Sequence, residues 1–201
     1  MAARLTYLDV GSADLPLLEA ARNGDRAVFA TWPGGTLVAV IDGLGHGGDA
    51  ADASDAAAIV LAVDPGAPLV ELVARCHAAL HRTRGAVMTV VTIAPNGALA
   101  WLGVGNVAGV LRRAPGNGDD ETLAPRGGTV GFHLPHLEAR RFQLAFGDAV
   151  VLASDGVRPR FREDIVPGRS ASALAHDILA RHAIETDDAC VAVARFVGAH
   201  A

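Results

Sequence analysis

The chain has 201 residues, 51% of them hydrophobic and 19% charged, a balance that points to a single globular domain over 1–201 and excludes a disordered polymer. A net charge of −5 with no long basic run argues against nucleic acid as the main partner. The longest uninterrupted apolar stretch, Ala56–Val63, is far too short to cross a bilayer, so no membrane partner is expected. The N-terminal MAARLTYLDVGSADLP lacks the apolar core of a signal peptide. Cys76 and Cys190 both lie in apolar periodic segments and read as buried reduced thiols, which makes the cytoplasm the expected location.

Strands are expected at Leu5–Val10, Arg26–Thr31 and Leu37–Ile41, separated by Gly/Pro punctuation such as Pro33-Gly34-Gly35. The glycine-rich Asp42-Gly43-Leu44-Gly45-His46-Gly47-Gly48 then leads into an alanine-rich helix to about Val63. Asp49, Asp52 and Asp55 fall in its first turns, where carboxylates suit the positive end of the dipole. A second helix is expected over Leu69–Arg82, with Leu69, Leu72, Val73, Cys76, Ala79 and Leu80 on one face and Gly85 as its stop. Beyond it the texture changes to strands at Val87–Ile93, Ala98–Val104 and Val107–Arg113, with Pro95-Asn96-Gly97 as a hairpin turn. A polar loop Ala114–Asp120 precedes strands at Leu137–Leu144 and Ala149–Ala153. A helix over Ala171–His182, capped by Ser170, and a strand Cys190–Val197 close the chain. Helices are segregated from a long strand meander, which specifies an α+β fold with antiparallel sheets.

Three acidic positions share one context, an apolar strand that ends at an aspartate. LVAVID ends at Asp42 and AVVLASD at Asp155, each followed by glycine, and Asp187-Asp188 stand immediately before the last strand. Acids gathered on one rim of a sheet repel unless a cation lies between them, and hard divalent ions prefer oxygen ligands. The glycine after Asp42 keeps a backbone carbonyl open as a further ligand. Spacing alone leaves a metal site and ordinary polar strand ends evenly balanced. His133 and His136 sit in a Gly/Pro loop and read as solvated, and Arg158, Arg160 and Arg162 read first as an exposed loop.

The ordered set Asn23-Gly24-Asp25, Asp42-Gly43-Leu44-Gly45-His46-Gly47, Arg84-Gly85-Ala86, Gly103-Val104-Gly105-Asn106-Val107, Gly131, Gly147-Asp148, Ser154-Asp155-Gly156 and Asp187-Asp188 resembles the metal-dependent protein phosphatase (PPM) superfamily. The small bacterial SpoIIE- and RsbX-type branch is the better match, and within it the compact stressosome phosphatases of RsbX type. The resemblance implies a four-layer α-β-β-α sandwich in which two antiparallel sheets are covered by helices. By the same resemblance, Asp42 bridges two Mn²⁺ or Mg²⁺ ions, Gly43 offers its carbonyl, Asp155 and Asp187 complete the ligands, and Asp25 orients water. His46 and Arg158 are possible substrate contacts. The larger phosphatases carry a histidine directly after the Asp-Gly pair, where this chain has Leu44, and no match to their phosphate-binding arginine is evident.

The implied activity is hydrolysis of phosphoserine or phosphothreonine in a phosphorylated regulatory protein, a STAS-domain or stressosome component. The alternative is a phosphatase-like binding module with weak or no turnover that docks signalling regulators. A metal-dependent nuclease or small-molecule phosphatase is a more distant rival, disfavoured by the acidic balance.

Overall fold

A computed structural model describes residues 7–17 and 22–198. The element order is β1 (Leu8–Leu15), β2 (Asp25–Trp32), β3 (Gly35–Gly43), α1 (Gly48–Val63), α2 (Leu69–Ala79), β4 (Ala86–Ile93), β5 (Ala98–Val104), β6 (Ala108–Arg112), β7 (Glu121–Leu123), β8 (Arg140–Gln143), β9 (Ala149–Ala153), a 3-10 turn Pro159–Asp164, α3 (Ala171–His182) and β10 (Ala189–Phe196). The strands form two five-stranded sheets, ordered β2-β3-β4-β5-β8 and β1-β10-β9-β6-β7, and every strand pair is antiparallel.

Period-two alternation explains how the layers assemble. In β3, Val38 and Val40 point between the sheets, where they meet Leu111, Val150, Leu152 and Ala192. Leu37, Ala39 and Ile41 of the same strand point outward and are covered by Ala53, Ala57 and Leu61 of α1 and Leu72, Val73 and Cys76 of α2. In the second sheet, Val151, Ala153, Val191 and Val193 face outward onto Leu174, Ala175 and Ile178 of α3 and Phe161 of the 3-10 turn. Both central strands are therefore apolar on both faces, as doubly covered strands must be. The architecture is the α+β sandwich that the sequence led us to expect.

Several boundaries differ for local reasons. The first strand runs from Leu8 to Leu15 and does not stop at Val10; Leu5 and Thr6 lie outside the described residues. Gly11, which reads as a break, is a close-packing point: a Cβ there would lie 2.4 Å from Ser172 of α3. The second helix ends at Ala79, not Arg82, because the Thr83 amide and hydroxyl both donate to the Leu80 carbonyl, at 2.9 and 2.8 Å, and close the turn early. The strand expected over Leu137–Leu144 is reduced to Arg140–Gln143, and β7 was not foreseen at all. Ser170 caps α3 as expected, accepting the Ala173 amide at 3.3 Å.

At one end of the sandwich the fully buried Asp148 gathers the chain. It accepts from the amides of Ala114 and Ala145, from the Asn117 side chain and from the Arg113 guanidinium, at 2.7–3.0 Å. Burial alone would raise its pKa, but these donors and the Arg113 charge outweigh it, and the carboxyl titrates below its ordinary value. Asp148→Ala should therefore cost about 3 kcal/mol, read by urea denaturation, because it takes the shared acceptor from four donors, the Arg113 guanidinium among them. A lowered native pKa stabilises the fold above the unfolded value, near pH 4. That stabilisation is lost as pH falls through the native pKa, so wild type and variant should converge in stability in strong acid.

Candidate active site

Two strand pairs bring acids to the same end of the sandwich. In the first sheet β2 and β3 pair so that Asp25 lies directly opposite Asp42. Like charges directly opposite one another destabilise a sheet, so this register carries a cost that plain strand pairing does not explain. Gly43 follows, and a Cβ on it would lie 2.0 Å from the Ala50 carbonyl oxygen of α1. The glycine is thus required by the approach of α1, a constraint beyond leaving its carbonyl open. Its amide donates to the Gly24 carbonyl at 3.1 Å, closing the mouth of the hairpin.

The second sheet mirrors this arrangement. Asp155 leaves β9 two residues after Ala153, and Asp187 precedes β10 by two residues. A Cβ on Gly156 would lie 1.9 Å from the Asp188 carbonyl oxygen, so the second Asp-Gly pair also depends on a backbone packed against it. Asp188 is buried and acts as a stitch. Its two carboxylate oxygens accept the Leu17 and Gly24 amides at 2.8 and 2.9 Å, tying the β1–β2 connection to the head of β10. Ser154 accepts the Cys190 amide at 2.9 Å, and its hydroxyl lies close enough to Asp25 to lower that carboxyl's pKa. Asn106 donates to Asp155 at 2.7 Å and sets its orientation.

Asp42, Asp155 and Asp187 line one open cleft of about 540 Å³, with Gly45, Gly105, Gly127 and Gly128 supplying much of its wall as bare backbone. Asp25 lies beneath it, buried. Burial pushes the Asp25 carboxyl up to about 7; the Ser154 hydrogen bond pulls the other way, and the charges of Asp188, Asp155 and Asp187 add to the rise. Asp42 is raised further, by burial first and then by the charges of Asp25, Asp155 and Asp187 and a hydrogen bond with Asp155. Asp187 is raised by burial and by Asp155, against the Asp188 amide and His46, which lower it. Each acid is thus strained by the others, and the cleft has a standing demand for positive charge.

The residues fit a hard divalent cation. The donors are carboxylate and carbonyl oxygens, and Oδ2 of Asp25 is buried with no hydrogen-bond partner among the described residues. No group of three or more His, Cys, Asp or Glu side chains is already drawn together into a finished ligand set among the described residues. The acids instead approach in pairs, Asp25 across from Asp42 and Asp42 beside Asp155 in the cleft.

The remaining expectations fall as follows. His46 lines the cleft beside Asp187. Arg158 does not line it; its guanidinium donates to the Ala183 carbonyl at 3.2 Å and its amide to His182 at 2.8 Å. The segment Arg158–Arg162 is no free loop but begins a 3-10 turn that buries Phe161 completely, with Arg160 paired to Glu163. Arg22 spans Asp52 and Asp55 of α1 at 2.5 and 2.7 Å. The structural duties of Asp188, Ser154 and Asn106 escaped the sequence reading, although all three stand in motifs it singled out. Cys76 and Cys190 are free and buried, and burial pushes the Cys76 thiol up to about 12 and Cys190 higher still. No helix among the described residues is long and apolar enough to cross a membrane.

Residues 33–197 match the family model described as stage II sporulation protein E (SpoIIE). No curated protein sequence is significantly similar to the chain. Among solved structures, one of the bacterial stressosome, described as a modular system adapted to control secondary messenger signaling, is 28% identical with a TM-score of 0.83, over 94% of this chain and 99% of that one. RsbX in complex with magnesium is 19% identical with a TM-score of 0.85, over 96% and 98%. The catalytic domain of the serine threonine protein phosphatase PstP, with two manganese ions, is 20% identical with a TM-score of 0.74, over 95% and 99%. These last two likenesses carry the fold alone. With the family model covering most of its length, the chain belongs to the stage II sporulation protein E (SpoIIE) family.

Proposed function

We propose that this chain hydrolyses phosphoserine or phosphothreonine in a bacterial regulatory phosphoprotein, a STAS-domain or stressosome component, in the cytoplasm. The observation that carries this reading is the mutual crowding of Asp25 and Asp42 from one sheet with Asp155 and Asp187 from the other around one cleft. The likeness to a stressosome structure supports the choice of substrate, and the two buried, free thiols suit a reducing compartment.

Asp42, the Gly43 carbonyl, Asp155 and Asp187 would hold two Mn²⁺ or Mg²⁺ ions, the number and kinds seen in PstP and RsbX. Bound there, such ions acidify water and offset phosphoryl charge. The protein's own residues do the rest. Asn106 holds Asp155 to one orientation, as outer hydrogen bonds do for metal ligands. Asp25, whose Oδ2 is buried and has no partner among the described residues, would orient water held at the site. His46 beside Asp187 is placed to face a substrate oxygen, whereas Arg158 is committed to Ala183 and is the weaker of the two candidate contacts. The glycine wall leaves room for a peptide to lie across the opening.

Asp42→Asn should lower Mn²⁺-dependent turnover of a phosphoserine peptide by at least about a hundredfold with the circular dichroism spectrum unchanged. Undiminished turnover would remove the assignment. Calorimetry gives an independent check. Mn²⁺ at about a hundred times its Kd should raise the Tm of the wild type by about 5–10 °C, and Asp155→Asn should abolish most of that shift. A wild type that gains Tm with Mn²⁺ yet turns over no phosphopeptide would favour the docking module without catalysis.

A further inference from the structure

Phe132 is 72% exposed, yet the turn that carries it is one of the most firmly held in the molecule. The Thr129 and His133 backbones exchange two hydrogen bonds at 2.8 Å, and the Phe132 amide donates to the Thr129 carbonyl at 3.2 Å. Val130, fully buried, pairs with Ala86 of β4 through two further bonds at 2.8 and 2.9 Å. The Gly131 amide donates to Nδ1 of His77 on α2 at 2.9 Å. Gly131 has φ of 101°, and a Cβ there would lie 2.9 Å from the Leu80 side chain. A large aromatic ring held outward by a rigid turn is not a fraying loop, and water gains nothing from it.

The turn borders the catalytic cleft. Gly127 and Gly128 of the same connection line it. The Phe132 ring approaches to 3.4 Å of the position that a Cβ on Gly85 would occupy, and the Gly85 carbonyl accepts the amide of Leu44 at 3.0 Å. Leu44, 36% exposed, lines the cleft itself. Beside it the Arg84 guanidinium lies 2.8 Å from the Cβ position of Gly45 and pairs, half in water, with Asp49. Phe132 therefore stands beside Gly85 and next to Leu44 at the rim of the opening, with Arg84 flanking it near Gly45.

We infer that Phe132, Leu44 and Arg84 form a docking rim that reads the polypeptide flanking the phosphorylated residue, seating an apolar side chain of that segment against Phe132. The inference rests on the phosphatase reading above and names its substrate class more closely: an anionic, phosphorylated segment with an apolar residue next to the phosphorylated one. The geometry favours this occupant because the turn adjoins the wall of the cleft that holds Asp42 and Asp155, beside which a segment presenting its phosphoryl group would run. Arg84 complements the charge of the segment, and the facing glycines leave its backbone room. Phe146 is equally exposed, but it precedes β9 whereas Asp155 follows it, so it stands at the far end of the sandwich.

The test uses the full chain with Mn²⁺, two phosphoserine peptides differing only in leucine or alanine beside the phosphoserine, and p-nitrophenyl phosphate as the small probe. The wild type should favour the leucine peptide in kcat/KM by about tenfold, and Phe132→Ala should erase that preference while Phe146→Ala retains it. Thermal melts establish that each variant is folded, and the ratio of the two peptides cancels any general loss of activity. Equal turnover of the two peptides by the wild type, or an undiminished preference in Phe132→Ala, overturns the inference. Failure to turn over p-nitrophenyl phosphate as well as both peptides overturns the phosphatase reading itself, and the docking rim with it.

Discussion

Everything in this molecule turns on a repulsion. Asp25 and Asp42 stand directly across a β-ladder, and Asp155 and Asp187 reach the same cleft from the other sheet. Two sheets that packed only for their apolar faces would keep these charges apart. The β-sandwich instead supplies a stiff frame, closed by Val38, Val40, Val150 and Leu152, that holds Asp25, Asp42 and Asp187 where solvation and neighbouring charge both disfavour ionisation. Stability is sacrificed locally, and the cleft is left with an unmet demand for positive charge.

Backbone contact, more than side-chain packing, sets how closely the two halves of the site approach. Each Asp-Gly pair ends its strand against another piece of main chain, Gly43 against Ala50 and Gly156 against Asp188. Asp188 then ties the β1–β2 connection to β10 through two amides, and Ser154 bonds Cys190 at the head of that strand. A methyl group at either glycine would push a carboxylate-bearing segment outward. The symmetry of these two pairs across the seam is why residues more than a hundred positions apart in the chain act on one space.

The layers were legible because they rest on alternation: Leu37, Ala39 and Ile41 against Val38 and Val40 announce a strand covered on both faces. The acids were legible because an apolar strand that stops at Asp-Gly is conspicuous. What stayed hidden depends on contacts between distant segments. Gly11 looks like a strand break until Ser172 is seen against it. The arginine-rich stretch after Val157 looks like a free loop because nothing local indicates that Phe161 would be swallowed by the α3 layer. The strand Glu121–Leu123 is too short to show a period. Phe132 sits among glycines and histidines, and only the bonds to Ala86 and His77 reveal that its exposure is enforced.

The sulfur chemistry of the chain is silent. With Cys76 raised to about 12 and Cys190 beyond it, both without solvent access, neither offers a thiolate at neutral pH. Alkylating agents, which disable phosphatases that attack through cysteine, would find neither thiol exposed. The work of the cleft is therefore left to its carboxylates, and neither buried thiol shares in it.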